Sequence, residues 1–132
     1  MAYSPQVLEH FRRPRHAGLL SGAGVRTGTA GSRRKGALVR FQVEIVDGRV
    51  ANAGYQVFGS PYVIAACSLA AERVIGQPAV ADAAPPGREL AEALALPVEQ
   101  TGVALIVEDA IRAALLSSVA GEKRQESADE RR

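Results

Sequence analysis

Residues 39–58 read as a β-hairpin, and the rest of the chain has to be arranged around it. Val39-Arg40-Phe41-Gln42-Val43-Glu44-Ile45 alternates apolar and polar residues strictly, so Val39, Phe41, Val43 and Ile45 share one face of a strand. Asp47-Gly48 marks a turn, and residues 49–58 return as a second strand. A plain two-residue turn pairing Val46 with Arg49 would set Val43 opposite Asn52 and Phe41 opposite Gly54. A slip of one residue instead matches Val43 with Ala53, Phe41 with Tyr55 and Val39 with Val57, and both strands then bury the same face. Burial of one face selects this second register. The sequence therefore predicts an extra residue or a bulge at the turn.

Helical signals surround the hairpin. Residues 4–13 form a short helix, with Ser4 as cap, Pro5 at the first position, Val7, Leu8 and Phe11 on one face, and Pro14 as the stop. Ser60 and Pro61 open a second helix over residues 61–75 that ends at Gly76. Residues 77–87 read as a linker, 88–96 as a short helix closed by Pro97, and 101–119 as a long helix with a broad apolar stripe. Residues 17–37 hold six glycines and no apolar period, which predicts a flexible loop. The charged tail, residues 121–132, lacks apolar groups and is expected to be disordered. The expected architecture is α+β: one domain over residues 1–120, with an antiparallel sheet of about three strands covered on one side by helices.

Composition removes several functions. Cys67 is the single cysteine, which excludes an internal disulfide and any site needing two thiolates from one chain. Aromatics make up 5% with no tryptophan, so stacking platforms for single-stranded nucleic acid are not expected. No segment approaches a membrane span, and the N-terminus lacks a signal-peptide pattern, so a soluble cytoplasmic protein is expected. Charge is uneven. Residues 1–40 carry eight basic side chains against Glu9 alone, a local +7, and the remainder carries −5. That polarity points to an acidic partner or to pairing between the two halves.

Several blocks together resemble the IscU/NifU N-terminal family of iron–sulfur cluster assembly scaffolds. They are Met1-Ala2-Tyr3-Ser4 with Val7, His10, Pro14-Arg15 and Gly18; Tyr55-Gln56-Val57-Phe58-Gly59 with Ile64-Ala65 and Ser68-Leu69; Leu94-Ala95-Leu96-Pro97; and Glu108-Asp109-Ala110-Ile111-Arg112-Ala113-Ala114. They stay collinear over about residues 1–118. The resemblance implies a SufE/NifU-like fold and a [2Fe-2S] cluster, or zinc or iron, held by three cysteines assisted by an aspartate and a histidine.

At those five positions this chain has Lys35, Ala37 (for the aspartate), Ser60, Gly102 (for the histidine) and Val103. Lysine repels a cation, alanine, glycine and valine offer no side-chain donor, and a serine hydroxyl suits a soft cluster poorly. No cofactor is therefore expected, and no thiolate is available to accept sulfur from a cysteine desulfurase. The family's chaperone-binding segment reads Leu96-Pro97-Val98-Glu99-Gln100 here, which keeps only Leu96 and Pro97 as candidate contacts.

Cys67 reads as a buried small side chain, His10 as a packing or hydrogen-bonding residue, and His16 as exposed. Arg33-Arg34-Lys35 is either a site for an acidic partner or a solvated loop, free or paired with Glu108 or Asp109. The glycine spacing around it is not that of a phosphate-binding loop. No enzymatic constellation is visible. The expected role is a non-catalytic binding or regulatory subunit in cluster assembly or a related maturation pathway. Its partner would be a desulfurase, a true scaffold or another acidic protein. Two alternatives stand beside it: an anion- or nucleic-acid-binding module, and metal or cluster binding through Cys67 across an oligomer.

Overall fold

The computed structural model describes residues 3–117. The elements run α1 (Pro5–Arg12), β1 (Val25–Ser32), β2 (Ala37–Val46), β3 (Arg49–Gly59), α2 (Pro61–Val74), α3 (Gly87–Ala93) and α4 (Thr101–Leu116), with one-turn 3-10 helices at Ala81–Ala83 and Val98–Gln100. The strands form one antiparallel sheet in the order β1-β2-β3. The α+β expectation holds, with the described helices on one face of the sheet. The expected tail over residues 121–132 lies outside the described residues.

The hairpin adopts the register that burial selects: Val43 faces Ala53, Phe41 faces Tyr55 and Val39 faces Val57. The extra residue is present, but not in the turn. Asp47 and Gly48 make a plain two-residue turn with positive φ at both positions, which matches the twist of the strands, and Val46 pairs with Arg49. Glu44 pairs with Asn52 and Ile45 with Val50, so Ala51 is the unpaired residue, a bulge inside β3.

The flexible loop expected over residues 17–37 is corrected. Residues 25–32 form β1, paired with β2 from Val25↔Glu44 to Ser32↔Ala37. Its sequence, VRTGTAGS, shows no apolar alternation because its helix-facing positions are Arg26, whose guanidinium reaches the Leu115 carbonyl, and the small Gly28, Ala30 and Ser32. Gly28 pairs with Phe41 on the helix-facing side, and α4 lies directly on it. A Cβ at Gly28 would run into the Ala110 carbonyl oxygen and the Ala114 amide nitrogen. Backbone-to-backbone packing replaces side-chain burial there, and no hydrophobic period records it.

The core lies between the sheet's inner face and the helices. Phe41, Val39, Val43 and Val50 meet Val63, Ala66, Ala70 and Val74 of α2 and Val107, Ile111 and Ala114 of α4, all buried. The Phe41 and Tyr55 rings stack at 5.9 Å. Ser60 caps α2, its Oγ accepting from the Tyr62 amide at 3.2 Å, and Ser4 caps α1 likewise from Val7 at 3.0 Å. The outer face is treated differently. Residues 18–20 cross it as a strap: Gly18 bridges to Tyr55 at the β3 edge, and the Leu20 amide donates to Gln42 Oε1 at 2.7 Å.

Candidate functional site

Ser32 ends β1 and Ala37 begins β2, so Arg33, Arg34, Lys35 and Gly36 make the hairpin turn. The Lys35 amide donates to the Ser32 carbonyl (3.2 Å) and to its Oγ (3.1 Å), which fixes the turn from within. Ala37 pairs with Gly59, and this brings Ser60 to the same end of the sheet.

The start of α4 arrives there too. Gly28 lies against Ala110–Ala114, whereas a Cβ on Gly31 would lie 3.0 Å from Ile106 Cγ2. Three strand residues span about 10 Å and six helix residues about 9 Å, so α4 runs antiparallel to β1. Its first turn, residues 101–104, is thus level with the hairpin turn. Lys35, Ala37, Ser60, Gly102 and Val103 are brought to one apex.

The side chains at that apex do not fit a soft metal or cluster. Ala37 is buried, Val103 packs against the core, Gly102 has no side chain, and Ser60 Oγ is engaged as the α2 cap. Among the described residues, no group of three or more His, Cys, Asp or Glu could hold a metal ion. Cys67 sits in α2 with 0% exposure, and burial pushes its thiol far above the ordinary thiol range. A thiol with no accessible surface cannot supply a ligand to a second chain, which removes the oligomer-shared reading of Cys67.

His10 has a different occupation. Arg15 Nη1 can only donate, and it lies 3.3 Å from His10 Nδ1, so Nδ1 is the unprotonated acceptor. The Ser68 hydroxyl receives the Arg15 amide (2.9 Å) and donates to the same Nδ1 (2.7 Å). Nε2 then carries the proton and faces Glu72 at 3.9 Å. The order Ser68, His10, Glu72 imitates a hydrolase triad, and nothing in the residue spacing connects these three positions. Ser68 is 0% exposed, however, so no substrate reaches its oxygen. The three residues clip α1 to α2.

Burial first, then the Arg15 guanidinium, holds the His10 imidazole below its ordinary value; Glu72 and Glu9 oppose this weakly and Arg73 adds to it. The native state thus prefers the neutral ring, while the unfolded chain takes up a proton below its ordinary pKa of about 6.5. Stability is expected to fall as pH drops through that value toward the lower folded pKa. Urea midpoints at about pH 7.5 and pH 5.5 check this, and His10→Asn, whose amide oxygen can still accept, should flatten the difference. Glu9, held below its ordinary value by its hydrogen bond to Arg15, titrates beneath that window.

The +7 segment is not one patch. Arg13 and Arg15 pair with Glu9, and Arg15 also with Glu72, while Arg26 Nη1 donates to the Leu115 carbonyl at the end of α4. Arg33, Arg34, Lys35 and Arg40 are different: among the described residues, none has a carboxylate within ion-pair distance. The expected alternative pairing with Glu108 or Asp109 does not occur among these residues. Glu108 instead accepts from the Gly87 amide (2.8 Å) and pairs with Arg112.

Leu96 packs half-buried against the core, and Pro97 caps the following one-turn helix. The exposed members of that segment are Val98, at 88%, and Glu99. Alternation predicted that Arg40 faces away from the core, but gave no reason to connect it with Phe58. Pairing across β2 and β3 does so.

An antiparallel sheet with its helices on one face and three chain segments reaching one end defines a small α+β domain. Solved structures share it. A NifU-like N-terminal protein from Brucella abortus aligns with TM-score 0.62 at 22% identity, covering 84% of this chain and 90% of that one. A candidate iron–sulfur cluster assembly scaffold for the SUF system from Fervidobacterium islandicum aligns with TM-score 0.66 at 13% identity, over 86% and 96%. The model of the NifU-like N terminal domain matches residues 2–125, and the chain belongs to that family. Among curated relatives, the iron–sulfur cluster assembly scaffold protein IscU of Haemophilus influenzae is 33% identical over 118 residues, 87% of this chain and 94% of that protein. IscU of Rickettsia prowazekii is 35% identical over 119 residues, 87% and 90%. No helix among the described residues is long and apolar enough to cross a membrane.

Proposed function

We propose that this chain is a cluster-free member of the IscU/NifU family, a non-catalytic binding or regulatory component of cytoplasmic iron–sulfur cluster assembly. The observation that carries the reading is the content of the apex. Lys35, Ala37, Ser60, Gly102 and Val103 are carried by three segments that reach the same end of the sheet, and none of these residues offers the thiolate, carboxylate or imidazole that a cluster requires. The chain has no thiol at the apex to accept sulfur, since Cys67 is enclosed in α2. What the apex does present is cationic: Arg33, Arg34 and Lys35, exposed on a turn whose backbone is internally bonded. An acidic surface of a desulfurase or of a cluster-bearing scaffold is the fitting partner.

The test is an anaerobic assembly reaction holding the host's cysteine desulfurase, a cysteine-bearing scaffold and this chain. This chain is expected to co-elute with one of the two and to change the rate at which the scaffold acquires its cluster, while acquiring none itself. Arg33→Ala/Arg34→Ala/Lys35→Ala should abolish both effects. A cluster formed on this chain, or no complex with either component, would reject the proposal.

Nucleic acid binding is the second reading, and the dispersal of the +7 segment weakens it. Half of its eight cations stay together at the hairpin end, too few for the broad phosphate-tracking stripe of a nucleic-acid binder.

A further inference from the structure

The outer face of the sheet divides into a closed part and an open part. Along the strands, side chains on this face form cross-strand rows. The row Thr27–Gln42–Gly54 is shut: the Gln42 side chain is only 6% exposed, donates to Thr27 Oγ1 at 3.0 Å and accepts from Leu20 in the strap. Leu20 also lies over Gly54, 3.1 Å from where a Cβ would stand.

The next two rows toward the β1–β2 turn, Thr29–Arg40–Gln56 and Gly31–Leu38–Phe58, carry no strap among the described residues. They form an open groove of about 350 Å³ lined by Thr29, Arg33, Leu38, Arg40, Gln56 and Phe58. Phe58 is 44% exposed beside Leu38 on a face whose other neighbours are polar, and the Arg33 guanidinium lies 4.7 Å above its ring. Gly31 has no side chain, and a Cβ there would lie against Ile106 of α4 instead of over the trough, so the Leu38–Phe58 trough is open on the β1 side.

The chemistry of this groove is specific. It has an apolar floor two residues wide and an Arg on each side, Arg33 and Arg40, with Arg34 and Lys35 on the adjoining turn. Neither row contains an acidic residue. The chain covers the adjacent row with its own backbone and a leucine, which shows how an extended segment seats on this face. We infer that the open half of the outer sheet face is a docking groove for an acidic, partly apolar extended segment of a partner protein. Carboxylates of that segment pair with Arg33 and Arg40, and one apolar side chain enters the Leu38–Phe58 trough. Arginine suits carboxylates because its planar fork bonds them bidentately. The inference deepens the reading of the chain as a binding component by giving the partner's docking place and chemistry. It rests on that reading only for the partner's membership in cluster assembly.

The test uses the full chain, ¹⁵N-labelled, titrated with a short synthetic peptide of alternating glutamate and leucine at about 150 mM salt. A peptide of glutamate alone and a short DNA duplex serve as comparison probes. Amide shifts are expected to concentrate at Thr29, Leu38, Arg40, Gln56 and Phe58. Arg33→Glu/Arg40→Glu should weaken binding about tenfold or more, since two charge pairs become repulsions. Arg34→Glu, in the turn and outside the strand ladder, should weaken it less, and Arg88→Glu on α3 should leave it unchanged. The all-glutamate peptide should bind more weakly than the alternating one.

Unchanged affinity in the double charge reversal would overturn the inference, as would shifts confined to the α1–α2 side. Tighter binding of the DNA duplex by the same residues would overturn it in favour of a polyanion site. Cluster formation on this chain would leave the result standing while rejecting the functional reading, so the two can fail separately.

Discussion

Gly28→Val is expected to lower the stability of the fold by about 3 kcal/mol or more, and the melting temperature by roughly 10–15 °C. Gly28 lies in β1 where α4 crosses it, and even a single Cβ would collide with the Ala110 carbonyl oxygen and the Ala114 amide nitrogen. Those atoms belong to the helix backbone, so relief requires moving α4 as a whole. Because α4 carries Val107, Ile111 and Ala114 into the core, the movement loosens contacts along the sheet. Gly102→Ala provides the comparison. Nothing lies within 4 Å of a Cβ at Gly102, and the change should stay within about 1 kcal/mol, with a slight gain from helix propensity. Urea unfolding followed by circular dichroism measures both. A Gly28→Val protein within about 1 kcal/mol of the parent would show that α4 does not rest on β1 as described.

The second large effect is a gain. Lys35→Cys, Ala37→Asp, Ser60→Cys, Gly102→His and Val103→Cys introduced together are expected to take zinc uptake from none to one ion per chain. The parent chain, incubated anaerobically with ferrous iron and sulfide, is expected to acquire neither iron nor charge-transfer absorption. The gain depends on convergence of the β1–β2 turn, the start of α2 and the first turn of α4, so ligands placed there meet without rebuilding the fold.

Two costs accompany it. Ser60→Cys removes the oxygen that caps the Tyr62 amide, worth about 1 kcal/mol. Ala37→Asp puts a carboxylate at a buried position, tolerable only when a cation compensates it. Metal-free, the five-fold variant should therefore melt below the parent, and zinc should raise its melting point. Metal analysis and thermal unfolding with and without zinc decide the matter. A folded variant that takes up no zinc would disprove the convergence, and a parent that acquires a cluster would disprove the cluster-free reading.

Legibility of the fold followed how locally each signal is encoded. The hairpin register was readable because a strict period of two leaves one burial-consistent pairing. The position of the extra residue was not readable: any residue between Val50 and Ala53 satisfies the same register, and the turn geometry of Asp47-Gly48 then places the bulge at Ala51. Helix starts were readable at Ser4-Pro5 and Ser60-Pro61, where cap and proline are adjacent. The α3 end shifted inward to Ala93 because Ala95 takes a left-handed conformation before Pro97.

β1 was missed for a physical reason. Strand signals are written in side-chain alternation, and at Gly28 the burial is of backbone against backbone. The same holds for the candidate site. That Arg33, Arg34 and Lys35 are basic is legible in the sequence; that Arg40, Gln56 and Phe58 join them on an open face depends on three strands lying side by side.

By itself the sequence determined the family blocks, the central hairpin and the donor chemistry at five positions, because residue identity alone decides whether an atom can hold soft iron. Only the tertiary structure decided which of these groups stand together. It placed the five positions at one apex and sealed Cys67 in the helix layer. It turned Ser68 and His10 into an internal clip, and it separated the paired arginines near α1 from the cations at the hairpin. Proximity between residues distant in sequence is set by strand pairing and by the packing of α4 on β1, and neither is written in any single segment of the chain.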